Sequence, residues 1–417
     1  MASLRDIGYD TPAAVADLVD NSIDADARNV DITLTREGRS SWIRVADDGI
    51  GMTARELDEA MRYGSRREYA RHHLGHFGLG LKTASLSQCR RLTVMSKTTP
   101  RGRIEGRCWD LDHVAARDSW ELERVTPRGC PAHASEPLRI RPGTVVLWER
   151  LDRVLSYARP DGAAAMRAID QLEEDVGRHL GMVFHRFLAG ELGRGRARLQ
   201  ITLNDQVVEP WDPFARGESA TQTLEAQTVL LRHGGRSHRV RVRPYILPPQ
   251  IQFSSSEAHA EAAGPRRWNR QQGLYIYRRD RLIQSGGWNR LRTLDEHSKL
   301  ARIALDIPQA AEPAFQINVS KMSVVLPTDL RPALAAVAAG VVAEAQEAYR
   351  QRVRLVDSDR GARDPSASVE AGSLVGDGWS TIVEVLREEL HDQPETLRRV
   401  LTALANAHTR RTASASA

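Results

Sequence analysis

The sequence predicts an α+β protein with two α/β domains, at residues 1–155 and 156–354, followed by a small helical region. Two observations support this fold class. Segments with helical spacing of apolar residues alternate with segments in which every second residue is apolar, which is typical of mixed helices and strands. The stretch 355–378 is rich in Asp, Gly, Ser and Ala, which predicts a linker. Amphipathic helical patterns follow it at 379–408, and we expect a disordered tail at 409–417.

Composition agrees with a globular protein. A chain of 417 residues is long enough for two sizeable cores, and 41% apolar and 27% charged residues are ordinary values. No apolar run approaches the ~18 residues that a membrane span needs, and the N-terminus lacks a signal-peptide core. Cys89, Cys108 and Cys130 are neither an even set nor spaced as a metal site. We therefore expect a cytoplasmic protein without membrane contact.

The first element is an amphipathic helix. Thr11 is the expected N-cap and Pro12 suits the first helical position, which predicts a helix from about residue 12 to about residue 25. Helical periodicity separates two faces, an apolar one with Val15, Leu18, Val19 and Ile23 and a polar one with Asp17, Asp20, Asn21 and Asp24. Taken alone, the polar face is ordinarily a solvated one.

A hairpin and a short helix are predicted next. Alternation at Val30, Ile32 and Leu34, a polar turn at 37–41 and the apolar stretch 42–46 predict two strands. The second strand leads into Asp47, Asp48, Gly49, Ile50 and Gly51. These glycines permit tight turns near a ligand, and a carboxylate there can accept a hydrogen bond from an exocyclic amine. An ordinary Asp-Gly turn is the alternative. Thr53 and Glu56 then predict a capping box and a helix to about Tyr63.

A glycine-rich loop precedes the next predicted helix. Gly75, Gly78 and Gly80 follow a basic stretch at 65–73 and lead into a helical pattern at 81–88. Glycines ahead of a helix N-terminus leave N–H groups free to bind phosphate. The loop lacks the preceding strand of a Rossmann fingerprint and the Gly-Lys-Ser/Thr ending of a Walker A loop. A flexible hinge is the alternative.

Three segments together resemble a known family. ADLVDNSIDA (16–25), VADDGIGM (45–52) and GHFGLGLKTAS (75–85) are similar to the N, G1 and G2 boxes of the GHKL ATPases. This superfamily includes the DNA gyrase B subunit, the heat-shock chaperone with the Bergerat fold, MutL and the MORC proteins. The resemblance implies a Bergerat-fold two-layer α/β sandwich at the N-terminus that binds ATP with Mg²⁺.

The resemblance also implies roles for particular residues. Asn21 is expected to ligand Mg²⁺, Asp47 to bind the adenine amino group, and Gly49 and Gly51 to shape the adenine wall. Gly75, Gly78 and Gly80 are expected to form the lid hinge and phosphate loop. The segment RPGTVVLW (141–148) is similar to the strand whose threonine supports the adenine site, which nominates Thr144. The remaining expected nucleotide contacts flank the glycines of the boxes, namely Met52, Leu81 and Lys82.

The expected general base departs from the family pattern. Most family hydrolases have glutamate four residues before the metal-binding asparagine, and this chain has Asp17. Aspartate is one methylene shorter, and general-base catalysis depends on reach, so we expect slow hydrolysis. Asp20 is the nearest substitute carboxylate.

The chain beyond residue 150 predicts a second domain. A long helix at 161–190 precedes strand patterns at 197–208 and 237–242 and a hairpin at 273–288. This hairpin and the segment FQINVSKMSVVLP (315–327) resemble the transducer domain of gyrase-type and MORC-type ATPases. In that domain a lysine senses the γ-phosphate, which nominates Lys321, although a solvated strand-end lysine is the ordinary alternative.

Charge permits nucleic-acid binding. The net charge is +5, and basic clusters occur at 62–73, 194–198, 232–243 and 266–281. Such clusters are also common as solvated faces. Non-specific DNA binding is therefore a possible partner interaction, whereas no motif for sequence-specific recognition is present. The resemblance to gyrase-type and MORC-type ATPases implies a homodimer formed on ATP binding.

Three functions stay open at this point. The preferred one is an ATPase in which the nucleotide closes a lid and reorients the transducer domain as a DNA-associated or remodelling clamp. The second is a non-hydrolysing ATP-dependent switch, which the aspartate at position 17 keeps open. The third is a protein kinase of the histidine-kinase or anti-sigma branch, disfavoured because the first box begins at about residue 16 and leaves no room for phosphoacceptor helices.

Overall fold

The computed structural model describes Arg5, Arg159 and residues 9–62, 80–157, 161–193, 197–317 and 324–362, of which 351–362 are described by their backbone alone. Residues 1–352 form one compact unit and residues 353–417 a second. The α-helices within the described ranges are α1 (Thr11–Asp24), α2 (Ala54–Met61), α3 (Gly80–Leu86), α4 (Leu111–Arg117), α5 (Ala132–Ile140), α6 (Ala163–Val183), α7 (His185–Leu188), α8 (Ser256–Ala263), α9 (Arg267–Gln271) and α10 (Arg331–Ala362).

Strands of the described residues form two large sheets and one two-stranded ribbon. The first sheet has the order β5-β4-β3-β6-β2-β1-β7-β8, from β1 (Asn29–Leu34), β2 (Trp42–Asp47), β3 (Arg91–Lys97), β4 (Glu105–Asp110), β5 (Glu123–Val125), β6 (Gly143–Glu149), β7 (Gln200–Leu203) and β8 (Gln206–Val207). The second has the order β10-β11-β14-β12-β13, with β9 paired to β11, from β9 (Gln222–Thr223), β10 (Gln227–His233), β11 (Arg236–Ile246), β12 (Gly273–Arg278), β13 (Arg281–Ser285) and β14 (Ala301–Ile307). The ribbon pairs β15 (Gln316–Ile317) with β16 (Val324–Val325).

Successive side chains of the first sheet point to opposite faces, and helices cover both faces. Val45 and Trp148 point into a core shared with α1, α3 and α6, whereas Ala46 and Leu147 point to the opposite face and pack with α5. The apolar face predicted for α1 is confirmed, since Val15 and Val19 are fully buried. This arrangement is the α+β fold that the sequence predicts.

The N-terminus of α1 differs from the prediction by one residue. Asp10, not Thr11, is the N-cap, and its side chain accepts a hydrogen bond from the Ala13 N–H. Thr11 is helical, and its hydroxyl donates to Gln88 Oε1 at 2.7 Å. Either side chain can cap a helix, so the tertiary contact with Gln88 decides between them.

The predicted hairpin and capping box are confirmed. β1 and β2 pair antiparallel, and the turn between them contains a 3₁₀ segment, Gly38–Ser40. Thr53 and Glu56 form the reciprocal bonds of a capping box at the start of α2. These elements were predictable because their signals are local in sequence.

The second sheet carries a separate core. Alternate residues of β11, Val240 and Val242, are fully buried against β12, β14 and the apolar residues of α10. The hairpin predicted at 273–288 is confirmed as β12 and β13, which are joined through Arg279 and Asp280, both with positive φ.

Two predicted boundaries need correction. The strand pattern at 197–208 was assigned to the second domain, but β7 pairs in parallel with β1 and extends the first sheet. Pairing between distant segments leaves no local signal in sequence, and this explains the error. The predicted linker begins at 355, whereas α10 continues to Ala362, because one glycine weakens a helix by only about 1 kcal/mol. The segments predicted at 379–408 and 409–417 lie outside the described residues.

None of the helices in the described ranges combines the length and apolar character needed to cross a membrane.

Candidate nucleotide-binding site

The site is assembled around the end of β2. Asp47 is the last residue of that strand, and the residue as a whole is 8% exposed. Oδ1 accepts hydrogen bonds from the N–H groups of Gly49 at 3.0 Å and Thr144 at 3.1 Å, and Oδ2 accepts from the Ser22 hydroxyl at 3.0 Å. Burial raises the pKa of Asp47, and the three hydrogen bonds oppose that shift without cancelling it. The carboxylate is therefore held rigidly by donors from three elements.

The glycines after β2 are required by close backbone contacts. A Cβ atom on Gly49 would lie 2.6 Å from the Ala25 carbonyl oxygen, and one on Gly51 would lie 2.2 Å from that of Lys97. Gly51 also has a φ of +68°, a left-handed conformation that glycine adopts without strain. These glycines let the loop pack against α1 and β3, which fixes the wall beside Asp47.

Ser96 is a site residue that the sequence analysis missed. It is fully buried at the end of β3, where its hydroxyl donates to the Gly143 carbonyl at 2.9 Å and accepts from the Met52 N–H at 2.7 Å. The hydroxyls of Ser96 and Thr144 are 3.0 Å apart. A serine inside an otherwise apolar strand pattern is the one sequence signal that could have identified it. Ser96 thus joins the loop after β2 to β6.

The polar face of α1 is only partly solvated: Asp17 and Asp20 are buried, whereas Asn21 is exposed and Asp24 is half-buried. Asp17 is 2% exposed and Asp20 is fully buried. The Tyr9 hydroxyl donates to Asp17 Oδ2 at 2.7 Å, and Arg281 Nε donates to Asp20 Oδ1 at 2.8 Å. The Arg281 guanidinium also lies 3.8 Å from Asp17 Oδ1. Arg281, which is the first residue of β13, was not predicted as part of the site, because it is 261 positions away from Asp20.

A comparison with known families identifies this domain. The family described as "Histidine kinase-, DNA gyrase B-, and HSP90-like ATPase" matches residues 9–137, which include Asp17, Asn21, Asp47 and Gly80. The N-terminal domain is a GHKL ATPase domain. Thr144 and Arg281 lie beyond the matched residues.

Relatives of known name are similar to parts of the chain. ATPase morc-1 of Caenorhabditis elegans is 33% identical over 85 residues, 20% of this chain and 10% of that protein. DNA mismatch repair protein MutL of Pseudomonas putida is 32% identical over 131 residues, 29% of this chain and 18% of that protein. MutL of Rhodospirillum rubrum is 30% identical over 165 residues, 38% and 23% of the two chains. The chain thus matches less than a quarter of the length of these relatives.

Asn21 is the residue expected to ligand Mg²⁺. It is exposed near the end of α1, one helical turn after Asp17, and no described residue bonds its side-chain amide. An amide oxygen is a ligand that Mg²⁺ accepts, usually together with water and phosphate oxygens. Among the residues with described positions, no three His, Cys, Asp or Glu side chains form a metal cluster. Asn21 therefore fits a Mg²⁺ ion that would be held mainly by the phosphate groups of a bound nucleotide.

The glycine-rich loop of the GHKL domain is described only at its end. Gly75 and Gly78 lie outside the described residues, and so does Lys321. Gly80 is the first residue of α3, and the position of a Cβ atom on it lies 3.5 Å from Asp17 Oδ2. The N-terminus of α3 and the expected general base therefore lie side by side, with the half-buried Leu81 next to them.

Lys82 makes contacts that differ from those expected of a phosphate ligand. Its side chain is fully buried, and Nζ donates to the carbonyl oxygens of Ala60 at 2.9 Å and Arg62 at 2.7 Å. Burial lowers the pKa of this ammonium to about 8. Lys82 thus ties the end of α2 to α3, and its contact with phosphate stays a prediction.

We expect Lys82→Met to lower the free energy of unfolding by about 1–3 kcal/mol, because two buried carbonyl groups lose their donor. Its effect on ATP affinity is expected to be smaller than tenfold. Thermal unfolding and calorimetric titration of ATP measure the two quantities on one sample. A variant of unchanged stability and strongly weakened ATP binding would instead make Lys82 a phosphate ligand.

We expect Gly51→Ala to destabilise the GHKL domain and to weaken nucleotide binding, because the new Cβ atom meets the Lys97 carbonyl and the backbone is left-handed. A cost of about 2 kcal/mol or more is expected. Gly340→Ala is the matched control: its Cβ atom meets nothing within 4 Å in α10, and it should stabilise by up to about 1 kcal/mol. Equal effects of the two substitutions on the melting temperature would contradict this account.

Proposed function

We propose that the chain binds ATP with Mg²⁺ through its GHKL domain and hydrolyses it slowly. The observation that carries the proposal is the state of the Asp47 carboxylate. A carboxylate has about four acceptor positions, and three donors occupy Asp47 from within the protein. The remaining position, on a residue that is still 8% exposed, suits the exocyclic amino group of adenine.

The other residues are proposed to act on the phosphate side. Asn21 offers an amide oxygen to Mg²⁺, which when bound would neutralise phosphate charge. Gly80 offers the N-terminus of α3 to the phosphates. Asp17, which lies beside Gly80, is the proposed general base, and its position is held by the Tyr9 hydroxyl.

A non-hydrolysing switch is the second candidate, and the surroundings of Asp17 favour it. One carboxylate oxygen accepts the Tyr9 hydroxyl and the other faces Arg281, so an attacking water would have to compete with both groups. The shorter aspartate side chain adds to this restriction. Binding without turnover would follow from these contacts.

Nucleotide binding is further proposed to close the lid formed by the glycine-rich loop and to reorient the second, transducer-like domain. The contact of Arg281 with Asp20 supports this coupling, because it joins β13 to the helix that carries Asn21. By similarity to ATPase morc-1 and DNA mismatch repair protein MutL, a DNA-associated clamp that dimerises on ATP binding is the proposed context, with Lys321 as the γ-phosphate sensor. A cytoplasmic location is part of the same proposal.

Steady-state ATP turnover tests the catalytic proposal, measured with and without double-stranded DNA. Asp17→Ala is expected to lower kcat by about 100-fold or more at unchanged ATP affinity, which is the usual contribution of a general base. Asp17→Glu restores the missing methylene and is expected to raise kcat. Asp170→Ala, a change at an exposed aspartate of α6, is the control and should have no effect.

The outcomes separate the candidates. Wild-type protein that binds ATP without turnover, with Asp17→Glu equally inactive, would replace the ATPase by the switch. A turnover rate that DNA leaves unchanged would contradict the DNA-associated clamp while leaving the ATPase intact.

A further inference from the structure

A second concave site lies beside α7, on the face of the second sheet that is opposite to α10. It has a volume of about 910 Å³, within the usual range of small-molecule pockets. Its walls come from α7, the segments around Glu191 and Arg216, strands β10 and β11, the β12–β13 turn and the end of β14. The pocket is open to solvent on one side, so a charged ligand can enter it.

The pocket is strongly basic. Six arginines line it against three carboxylates, and burial lowers the pKa of its one histidine, His185, to about 3, so that the ring is neutral. The pocket therefore carries an excess of three positive charges. The six arginines are Arg186, Arg216, Arg239, Arg241, Arg243 and Arg279.

The carboxylates of the pocket are already neutralised. Asp306 pairs with Arg186 and Arg243, and Asp280 pairs with Arg186 at 3.4 Å. Glu191 forms a two-pronged pair with Arg216, with distances of 2.9 and 2.6 Å. These pairs hold the pocket walls and leave no carboxylate of the lining to neutralise the remaining arginines.

Arg279 pairs with Glu312 at 2.8 Å, so Arg239 and Arg241 are the remaining cations. They alternate with the fully buried Val240 and Val242 along β11, so both point to the pocket side of the sheet, where they are exposed. Neither has a hydrogen-bond or ion-pair partner in the part of the chain that the structure describes. Residues two apart on a strand are about 6.6 Å apart. Because their long side chains can converge from this spacing, each planar guanidinium group can bind one of two linked phosphate groups.

We propose that this pocket binds a small ligand with two or more linked phosphate groups, independently of the ATP site. The volume favours a ligand of nucleotide size or smaller over a nucleic acid, because nucleic-acid interfaces extend over about 1,000 Å² or more. The ion-paired arginines provide a preformed wall, and Arg239 and Arg241 provide the free charge that recognises the ligand.

Calorimetric titration of the full chain with inorganic tripolyphosphate tests the proposal. The samples contain no nucleotide, because an ATP analogue carries linked phosphate groups and would itself compete for the pocket. The expected result is a tripolyphosphate site whose affinity is at least tenfold weaker in the double variant Arg239→Gln/Arg241→Gln. The variant Arg239→Lys/Arg241→Lys, which keeps the charge and loses the planar fork, should recover part of that affinity.

Arg101→Gln/Arg103→Gln is the matched control. These arginines are also exposed and two residues apart, lie outside the pocket and have no partner among the described residues. Equal weakening in both glutamine variants, or no binding to wild-type protein, would overturn the proposal. If the wild-type protein bound a single-stranded oligonucleotide through Arg239 and Arg241 but did not bind tripolyphosphate, the proposal would also be overturned, in favour of a nucleic-acid site. ATP affinity is measured separately in the wild type and in the Arg239→Gln/Arg241→Gln variant. ATP binding that is equal in both would show that the ATP proposal holds even where the pocket proposal fails.

Discussion

Asp47→Asn is expected to weaken ATP binding by at least about a hundredfold and to leave the fold intact. The Asn carbonyl oxygen can accept the hydrogen bonds that Gly49 and Thr144 now donate to Asp47, and its amide can donate to the Ser22 hydroxyl. The acceptor position proposed for the adenine amino group would then carry an N–H of the new amide. Two N–H donors would face each other, which is repulsive. Calorimetric titration of ATP and thermal unfolding provide the two measurements.

The same substitution has a distinct pH signature. Burial raises the pKa of Asp47, so between about pH 3.9 and the raised value the folded chain holds a proton that the unfolded chain has released. The contribution of Asp47 to the free energy of unfolding therefore falls as pH rises through that window. Asp47→Asn has no titrating group at this position and so avoids the fall in the free energy of unfolding. The variant should be at least as stable as the wild type at neutral pH, and the difference between the two should shrink on acidification.

Asp48 is the matched control because its pKa moves in the opposite direction. Burial would raise the pKa of Asp48, but hydrogen bonds from Asn29 and Arg28 outweigh it and lower the value. Its contribution to stability is therefore present above about pH 3.9 and lost on acidification below it. Asp48→Asn should destabilise at neutral pH and retain ATP binding. Unfolding of both variants, or ATP binding by Asp47→Asn, would contradict the role assigned to Asp47.

Arg281→Met is expected to lower the free energy of unfolding by about 3–5 kcal/mol, because it leaves the fully buried Asp20 carboxylate without its cation. Asp20→Asn should cost a similar amount, since Arg281 is itself 2% exposed. The double variant Asp20→Asn/Arg281→Met should cost less than the sum of the two, because the pair between Asp20 and Arg281 is lost only once, while Asp17, which also faces Arg281, keeps its hydrogen bond from Tyr9. Chemical denaturation of the full chain measures all three.

An exposed ion pair provides the control for this cycle. Arg36 and Asp170 are paired at 2.9 Å with about half of each side chain exposed, and Arg36→Met should cost less than about 1 kcal/mol. If Arg281→Met were equally mild, the contact between β13 and α1 would contribute little to the fold. Additive single and double effects would show that Arg281 and Asp20 act separately.

Much of the GHKL domain was predictable from sequence because its signals are local. The apolar face of α1, the β1–β2 hairpin and the capping box of α2 depend on residues within one or two turns of each other. The glycines after Asp47 were recognised from the motif, and the structure adds that they are required by contacts with Ala25 and Lys97.

Only the tertiary structure decided which polar residues are buried and which partners they have. Helical periodicity placed Asp17 and Asp20 on one face, but their burial depends on Tyr9 and on Arg281 of the second sheet. Ser22 and Ser96 became site residues through contacts with Asp47 and Gly143. The same holds for β7, which joins the first sheet by pairing with β1; the first matched residues of the two strands are Gln200 and Asn29.

The physical reason for this division is the range of the interactions. Periodicity, caps and turn glycines act over a few residues, so the sequence by itself determined the elements, the nucleotide motifs and the superfamily. Burial and ion pairing join segments that are far apart in the chain, and their geometry exists only once both segments are folded. Arg239 and Arg241 illustrate both ranges of interaction. Alternation along β11 places them on one face of the sheet, and tertiary packing of distant segments makes that face part of a pocket.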